Sequence, residues 1–172
     1  MKTSVKSDRA RAPQPSVVYH MTNRKNVENI LKSGKILADW AGDCFFFKDL
    51  KDISTYIVLT GALKGRQYYD KVDGVLKICT APPLVIEDTV VFALKPRYNT
   101  KNWYKEITLK DRYNESDSIV NDRVKAFDDC RIMHHGDMKF KSNPEIIELS
   151  SILTAEELQA TQEKWKVDVK ED

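Results

Sequence analysis

The sequence is poor in the residues that build metal centres and disulfide frameworks: three histidines and three cysteines in 172 residues. Cys44, Cys79 and Cys130 are odd in number and lack CxxC spacing. That argues against a disulfide framework and for a reducing compartment, so a cytoplasmic location is expected. His134 and His135 are adjacent, so in a strand they would face opposite ways, and no third ligand lies at metal-binding spacing. A loop or hairpin tip is expected there, with no metal. Neither GxGxxG nor GxxxxGK[ST] occurs, which removes a Rossmann fingerprint and a P-loop. No run approaches the ~18 apolar residues of a membrane span, and no signal peptide is visible, so no membrane partner is expected. The net charge of +2 is too small to argue for nucleic acid by itself. Internal repeats and low-complexity tracts are also missing.

What remains is an ordinary globular composition, 41% apolar and 31% charged, long enough for one domain with a real core. Residues 1–16 are polar, basic and proline-broken, and read as a flexible N-terminal arm; 17–168 read as a single domain. Val17 to Thr22 has the β-branched and aromatic content of a strand. Thr22 or Asn23 can cap a helix carrying Val27, Ile30 and Leu31 on one face, which Gly34 stops. Cys44 to Phe47 reads as a short buried strand after a Gly42-Asp43 turn. Leu50, Ile53, Ile57 and Val58 mark a second helix. Strands are expected at 75–78, 89–94, 104–109, 130–133 and 145–149, while 120–127 is equally readable as helix or irregular. Thr154-Ala155-Glu156-Glu157 matches a capping box before a C-terminal helix to about Val167. This mixed order predicts an α+β domain with a largely antiparallel sheet.

Three stretches carry candidate chemistry. In "VVYHMT", His20 and Thr22 share a strand face with Val18, a good place to hold a ligand's hydroxyls, although a core histidine and a helix cap fit equally. In "GDCFFFKDLKDISTYI", aromatic residues precede a helix bearing Tyr56; they fit a core or a sandwich around a flat ring. In "NPEIIEL", Glu145 stands at the mouth of an apolar strand, where a carboxylate is costly unless paired or used. Glu148 is the rival carboxylate, on the opposite strand face.

Taken in order, Tyr19-His20-x-Thr22, the helix with Asn26 and "ILKSG", the aromatic strand, the Tyr56 helix and the late Glu resemble the ADP-ribosyltransferase superfamily. The order and spacing are most similar to the DarT family of toxins, which ADP-ribosylate thymidine in single-stranded DNA. The similarity covers roughly residues 17–60 and 143–158. It implies a split mixed or antiparallel β-sheet core with flanking helices, and NAD as substrate. It further implies that His20 and Thr22 bind NAD with Asn26 nearby, that Phe45 or Phe46 lines the nicotinamide side, that Tyr56 stacks on the nicotinamide, and that Glu145 is catalytic. Breaking the nicotinamide–ribose bond builds oxocarbenium character, which a carboxylate stabilises. One departure is visible: Phe47-Lys48-Asp49-Leu50-Lys51 has no arginine after the aromatic strand, where DarT proteins have one tied to transfer onto the base.

The implied function is mono-ADP-ribosylation of a macromolecular acceptor, nucleic acid favoured over protein, in a toxin, phage–host conflict or anti-defence setting with an antitoxin or target protein as partner. "KPRYNTKNWYKEITLKDR", from Lys95 to Arg112, supports the nucleic-acid side, because it interleaves cations with Tyr98, Trp103 and Tyr104 as base-stacking surfaces do. The alternatives are an RNA 2′-phosphotransferase, for which no arginine set accompanies His20, and a non-catalytic domain that binds NAD, ADP-ribose or a partner.

Overall fold

The computed structural model describes residues 9–63, 67–70, 75–78, 84–106 and 129–169. Cys79, residues 107–112 and the undecided stretch 120–127 lie outside them. The strands are β1 Arg9–Arg11, β2 Val18–Asn23, β3 Lys35–Ile36, β4 Asp43–Phe47, β5 Gln67–Asp70, β6 Val75–Ile78, β7 Thr89–Leu94, β8 Trp103–Glu106, β9 Arg131–His135, β10 Met138–Lys139 and β11 Glu145–Glu148. The helices are α1 Val27–Ser33, α2 Leu50–Leu63 and α3 Ala155–Val169. Seven strands form one sheet in the order β1-β8-β9-β4-β2-β7-β11, while β3/β10 and β5/β6 form two small ladders. Every pairing among these strands is antiparallel. The fold is α+β.

The sheet is covered on both faces, which is why Thr89–Leu94 reads as a continuous apolar run instead of an alternating one. Val90, Phe92 and Leu94 join Val18, Phe46 and Trp103 in one core, against which Val27 and Ile30 of α1 pack. Val91 and Phe47 join Ile53, Ile57 and Leu59 of α2 in the other, with Leu158 of α3 at its margin. Local chemistry sets the helix ends. Asn23 caps the short 3-10 turn Arg24–Asn26, its Oδ1 accepting from the Lys25 N–H at 2.9 Å. Gly34, at φ 70°, ends α1 in the left-handed region that glycine tolerates best. The expected capping box opens α3: the Thr154 N–H donates to Glu157 Oε1 at 2.9 Å and the Glu157 N–H to Thr154 Oγ1 at 3.1 Å.

Two expectations need correction. Residues 9–16 do not belong to a flexible arm: β1 pairs along the outer side of β8, and the Ala12 N–H donates to the Trp103 carbonyl at 2.9 Å. The reason is Trp103, whose buried indole N–H needs an acceptor and finds Gln14 Oε1 at 3.0 Å. His134 and His135 do not form a loop tip. They close β9, and the turn follows at Gly136. His134 is buried because its ring has two partners, Gly136 O at 2.9 Å and Thr100 Oγ1 at 3.2 Å. No helix among the described residues is long and apolar enough to cross a membrane.

Candidate functional site: a cleft where the sheet parts

Strand β2 is registered with β7 along its whole length, from Val18↔Leu94 to Asn23↔Thr89. Its other edge meets β4 at one pair only, Tyr19↔Phe47. Beyond that pair the two strands separate, and β4 instead pairs fully with β9, from Phe47↔Arg131 to Asp43↔His135. The sheet is therefore split in its middle. The split leaves a cleft of about 300 Å³ whose walls include His20, Ile36, Asp43, Phe45, Tyr56 and Arg131. Because neighbouring strand residues face opposite ways, both sides of the sheet contribute: His20 and Cys44 from the α1 side, Phe45 and Arg131 from the α2 side.

His20 is paired with Phe92 of β7 but sits where pairing with β4 has stopped. Its ring meets Phe46 edge-on at 5.8 Å and hydrogen-bonds the Phe45 main chain. Burial lowers its pKa and outweighs that hydrogen bond, so His20 is held as neutral imidazole. It is a hydrogen-bonding group here, not a cation. The three consecutive phenylalanines divide by parity. Phe46 is fully buried between His20 and Trp103. Phe47 is core and meets Tyr56 edge-on at 5.2 Å, and half-buried Phe45 faces the cleft. Of the two expected nicotinamide-side residues, Phe45 lines the cleft and Phe46 does not.

Thr22 and Asn26 are spent on each other: Asn26 Nδ2 donates to Thr22 Oγ1 at 3.0 Å, tying the end of β2 to the start of α1. Neither lines the cleft, although Thr22 is on the His20 strand face. Glu145 lies further off. It starts β11, the outermost strand, exposed, in register with Ala93, which is itself in register with Tyr19. Three strand spacings separate it from Phe47, about 14 Å. It is level with the closed end of the split, not the open one. Glu148 is also outside, held by both Arg24 Nη atoms on the surface, and this pairing keeps its carboxyl below the usual range.

Two cleft residues were missed by sequence reasoning. Arg131 lies with its guanidinium carbon 4.8 Å from the Phe45 ring centroid, a cation–π contact that sets a planar cation from β9 against the aromatic strand. No local motif marks it, because register across β4/β9 makes the contact. Asp43 is 2% exposed, lines the cleft and has its Oδ1 3.3 Å from His135 Nδ1. Its signal was a carboxylate opening an aromatic strand, the reasoning that had been applied to Glu145. Among the described residues no group of three or more His, Cys, Asp or Glu is placed to hold a metal ion.

The fold and cleft define an α+β protein with a split antiparallel sheet and a neutral histidine, three aromatic rings (Phe45, Phe47 and Tyr56), a buried carboxylate and an arginine around the opening. Compared with known proteins, the chain matches no family model, no curated protein and no solved structure.

Proposed function

We propose that this chain is an NAD-dependent mono-ADP-ribosyltransferase of the ADP-ribosyltransferase-like fold, with NAD seated in the cleft between β2 and β4. The observation that carries the reading is the convergence of His20, Phe45 and Tyr56 on one cleft, at the place where the sheet splits. These residues lie far apart in sequence and were singled out together by the resemblance. Neutral His20 suits hydrogen bonding to a ribose hydroxyl, and Phe45 with Tyr56 suits a flat nicotinamide ring.

Cleavage of the nicotinamide–ribose bond needs a carboxylate beside the developing positive charge. Glu145 is the residue that the resemblance implies, but Asp43 is the buried carboxylate on the cleft wall. In this reading Asp43 stabilises the cation and His135, at 3.3 Å, orients it. Arg131 holds an anionic or planar part of the substrate. The acceptor is a macromolecule, with nucleic acid preferred.

The test is nicotinamide release from NAD by the wild type, Asp43→Asn, Glu145→Gln and His20→Ala, with single-stranded DNA, RNA or cell protein added. Release lost in Asp43→Asn and kept in Glu145→Gln supports the assignment; the reverse restores Glu145. A second reading, a non-catalytic NAD or ADP-ribose binder, is favoured by Arg131, since a cation on the cleft wall opposes an oxocarbenium ion. NAD binding by titration without nicotinamide release from any form would select it.

A further inference from the structure

Outside the cleft, the most unusual feature is a set of like charges facing one another. Beyond β7, the chain continues as Lys95-Pro96-Arg97 and pairs with Lys139-Phe140-Lys141: Pro96 bridges Phe140, the Arg97 N–H donates to the Lys139 carbonyl at 2.9 Å, and the Lys141 N–H donates to the Lys95 carbonyl at 2.9 Å. Arg97 therefore stands opposite Lys139, and Lys95 opposite Lys141. Pro96 and Phe140 point inward and are buried, while all four cations are exposed on the outer face. On the far side of β10, Lys139 is in register with Lys35 of β3. Five cations thus occupy three adjacent short strands. Asp137 is the carboxylate beside them, and it is already bound to Lys35 at 3.3 Å.

Like charges directly opposite on neighbouring strands destabilise a sheet, so this arrangement works against the fold that holds it. A solvated face gains nothing from such placement. Polyanion binding does, because each phosphate placed between two strands relieves the repulsion and releases a counterion. The same surface carries exposed Tyr98, with Arg97 5.5 Å from its ring centroid. It also borders a groove of about 870 Å³ whose wall includes Arg97, Lys141, Ser142, Asn143 and exposed Leu31 and Ile146. A free aromatic and apolar side chains beside cations suit unpaired bases better than a duplex, whose bases are already stacked. Trp103, counted with Tyr98 in the sequence, is not available for this: it is fully buried.

We propose that this basic ladder, Lys35, Lys95, Arg97, Lys139 and Lys141 with Tyr98, is a binding site for single-stranded nucleic acid. Phosphates lie along the paired cations and a base stacks on Tyr98. The groove and the cleft share one piece of chain: Gly34 borders the groove, and Ile36 with Leu37 borders the cleft. A bound strand is thus brought alongside the cleft as the acceptor; that last step rests on the proposed transferase function, whereas the binding itself does not.

Fluorescence anisotropy with labelled 20-nucleotide single-stranded DNA and RNA, and with the duplex, tests the site. Four phosphate contacts give a slope of log K against log salt of about −2.8 and a loss of roughly fifty-fold in affinity between 50 and 200 mM KCl. The informative variant is Arg97→Glu combined with Lys141→Glu. It turns the Arg97/Lys139 and Lys95/Lys141 pairs from repulsive into attractive and leaves Lys139/Lys35 as it is, so its melting temperature should rise while nucleic-acid affinity falls at least tenfold and the salt slope collapses. Tyr98→Ala should weaken single strands and leave the slope unchanged. Wild-type affinity retained in the double variant would overturn the proposal, as would salt-independent binding or a preference for the duplex. NAD titration of the same variant separates the two readings: unchanged NAD binding with lost nucleic-acid binding locates the defect in the ladder, and a wild type that binds single strands but not NAD leaves the ladder standing while the transferase reading fails.

Discussion

Among the described residues, Tyr19 and Phe47 form the single registered pair between β2 and β4, and they mark where the sheet stops being continuous. Their neighbours illustrate how one residue type takes different work from its position. Phe46 and Phe47 should each cost about 3–5 kcal/mol when truncated to alanine, as fully packed core aromatics do. Half-buried Phe45→Ala should cost only about 1–2 kcal/mol, from partial burial and the Arg131 contact. Urea midpoints should follow that order. NAD affinity, measured on the same proteins, should suffer in Phe45→Ala despite its milder effect on stability.

The histidines set an acid limit on stability. His20 and His134 both have pKa values lowered by burial from the ordinary 6.5. Below pH 6.5 the unfolded chain takes up protons that the folded chain refuses, so stability is complete above that value and declines as the pH falls towards the folded-state values. Denaturant unfolding at pH 7.5, 6.5, 5.5 and 5.0 should show this decline. His20→Gln should flatten it. A profile that gains stability on acidification would contradict the buried neutral assignment.

Cys44 and Cys130 should be slow to react in the folded protein. Both are buried, and burial pushes their pKa values up to about 12 and about 11. With almost no thiolate at pH 8, neither should react with iodoacetamide until the chain is unfolded. Mass spectrometry of each peptide, native against denatured, checks this. Fast native labelling at Cys44 would mean that the cleft opens further than its static walls suggest.

Trp103→Phe keeps the aromatic volume and removes one donor, leaving Gln14 Oε1 with the Thr100 N–H at 2.9 Å. The expected loss is about 1 kcal/mol. Because Gln14 lies just beyond β1, the change should also raise hydrogen exchange at Arg9–Arg11 more than at β2. Uniform exchange changes across the sheet would instead point to a general packing defect.

Much of the fold was legible because it depends on short-range chemistry. The β2–α1 unit, the stop at Gly34, the Thr154–Glu157 capping box and the apolar β7 run each follow from residues within a few positions of one another. The site was legible in part for the same reason. Parity placed His20 on one strand face, but it could not say which of Phe45 and Phe46 met the cleft until β4 was oriented against β9. Glu145 looked placed for chemistry because a carboxylate before an apolar strand is conspicuous locally. Its distance from the cleft is set by strand order, which no local pattern encodes. Arg131, Asp43 with His135, and the paired cations at Lys95, Arg97, Lys139 and Lys141 all depend on long-range register for the same reason.

The placement of β2 in the interior of the sheet also governs how the chain can be made. On a ribosome, Val18–Asn23 emerges well before Thr89–Leu94, where most of its main-chain partners lie. Its early neighbour, β4, offers only one registered pair. At about 5–20 residues per second, this interior strand therefore waits several seconds with an open edge. Refolding in solution faces the same long loop closures, which slow sheet formation at equal stability. The split that opens the cleft thus deprives the nascent chain of an early hairpin and lengthens the interval in which aggregation competes with folding.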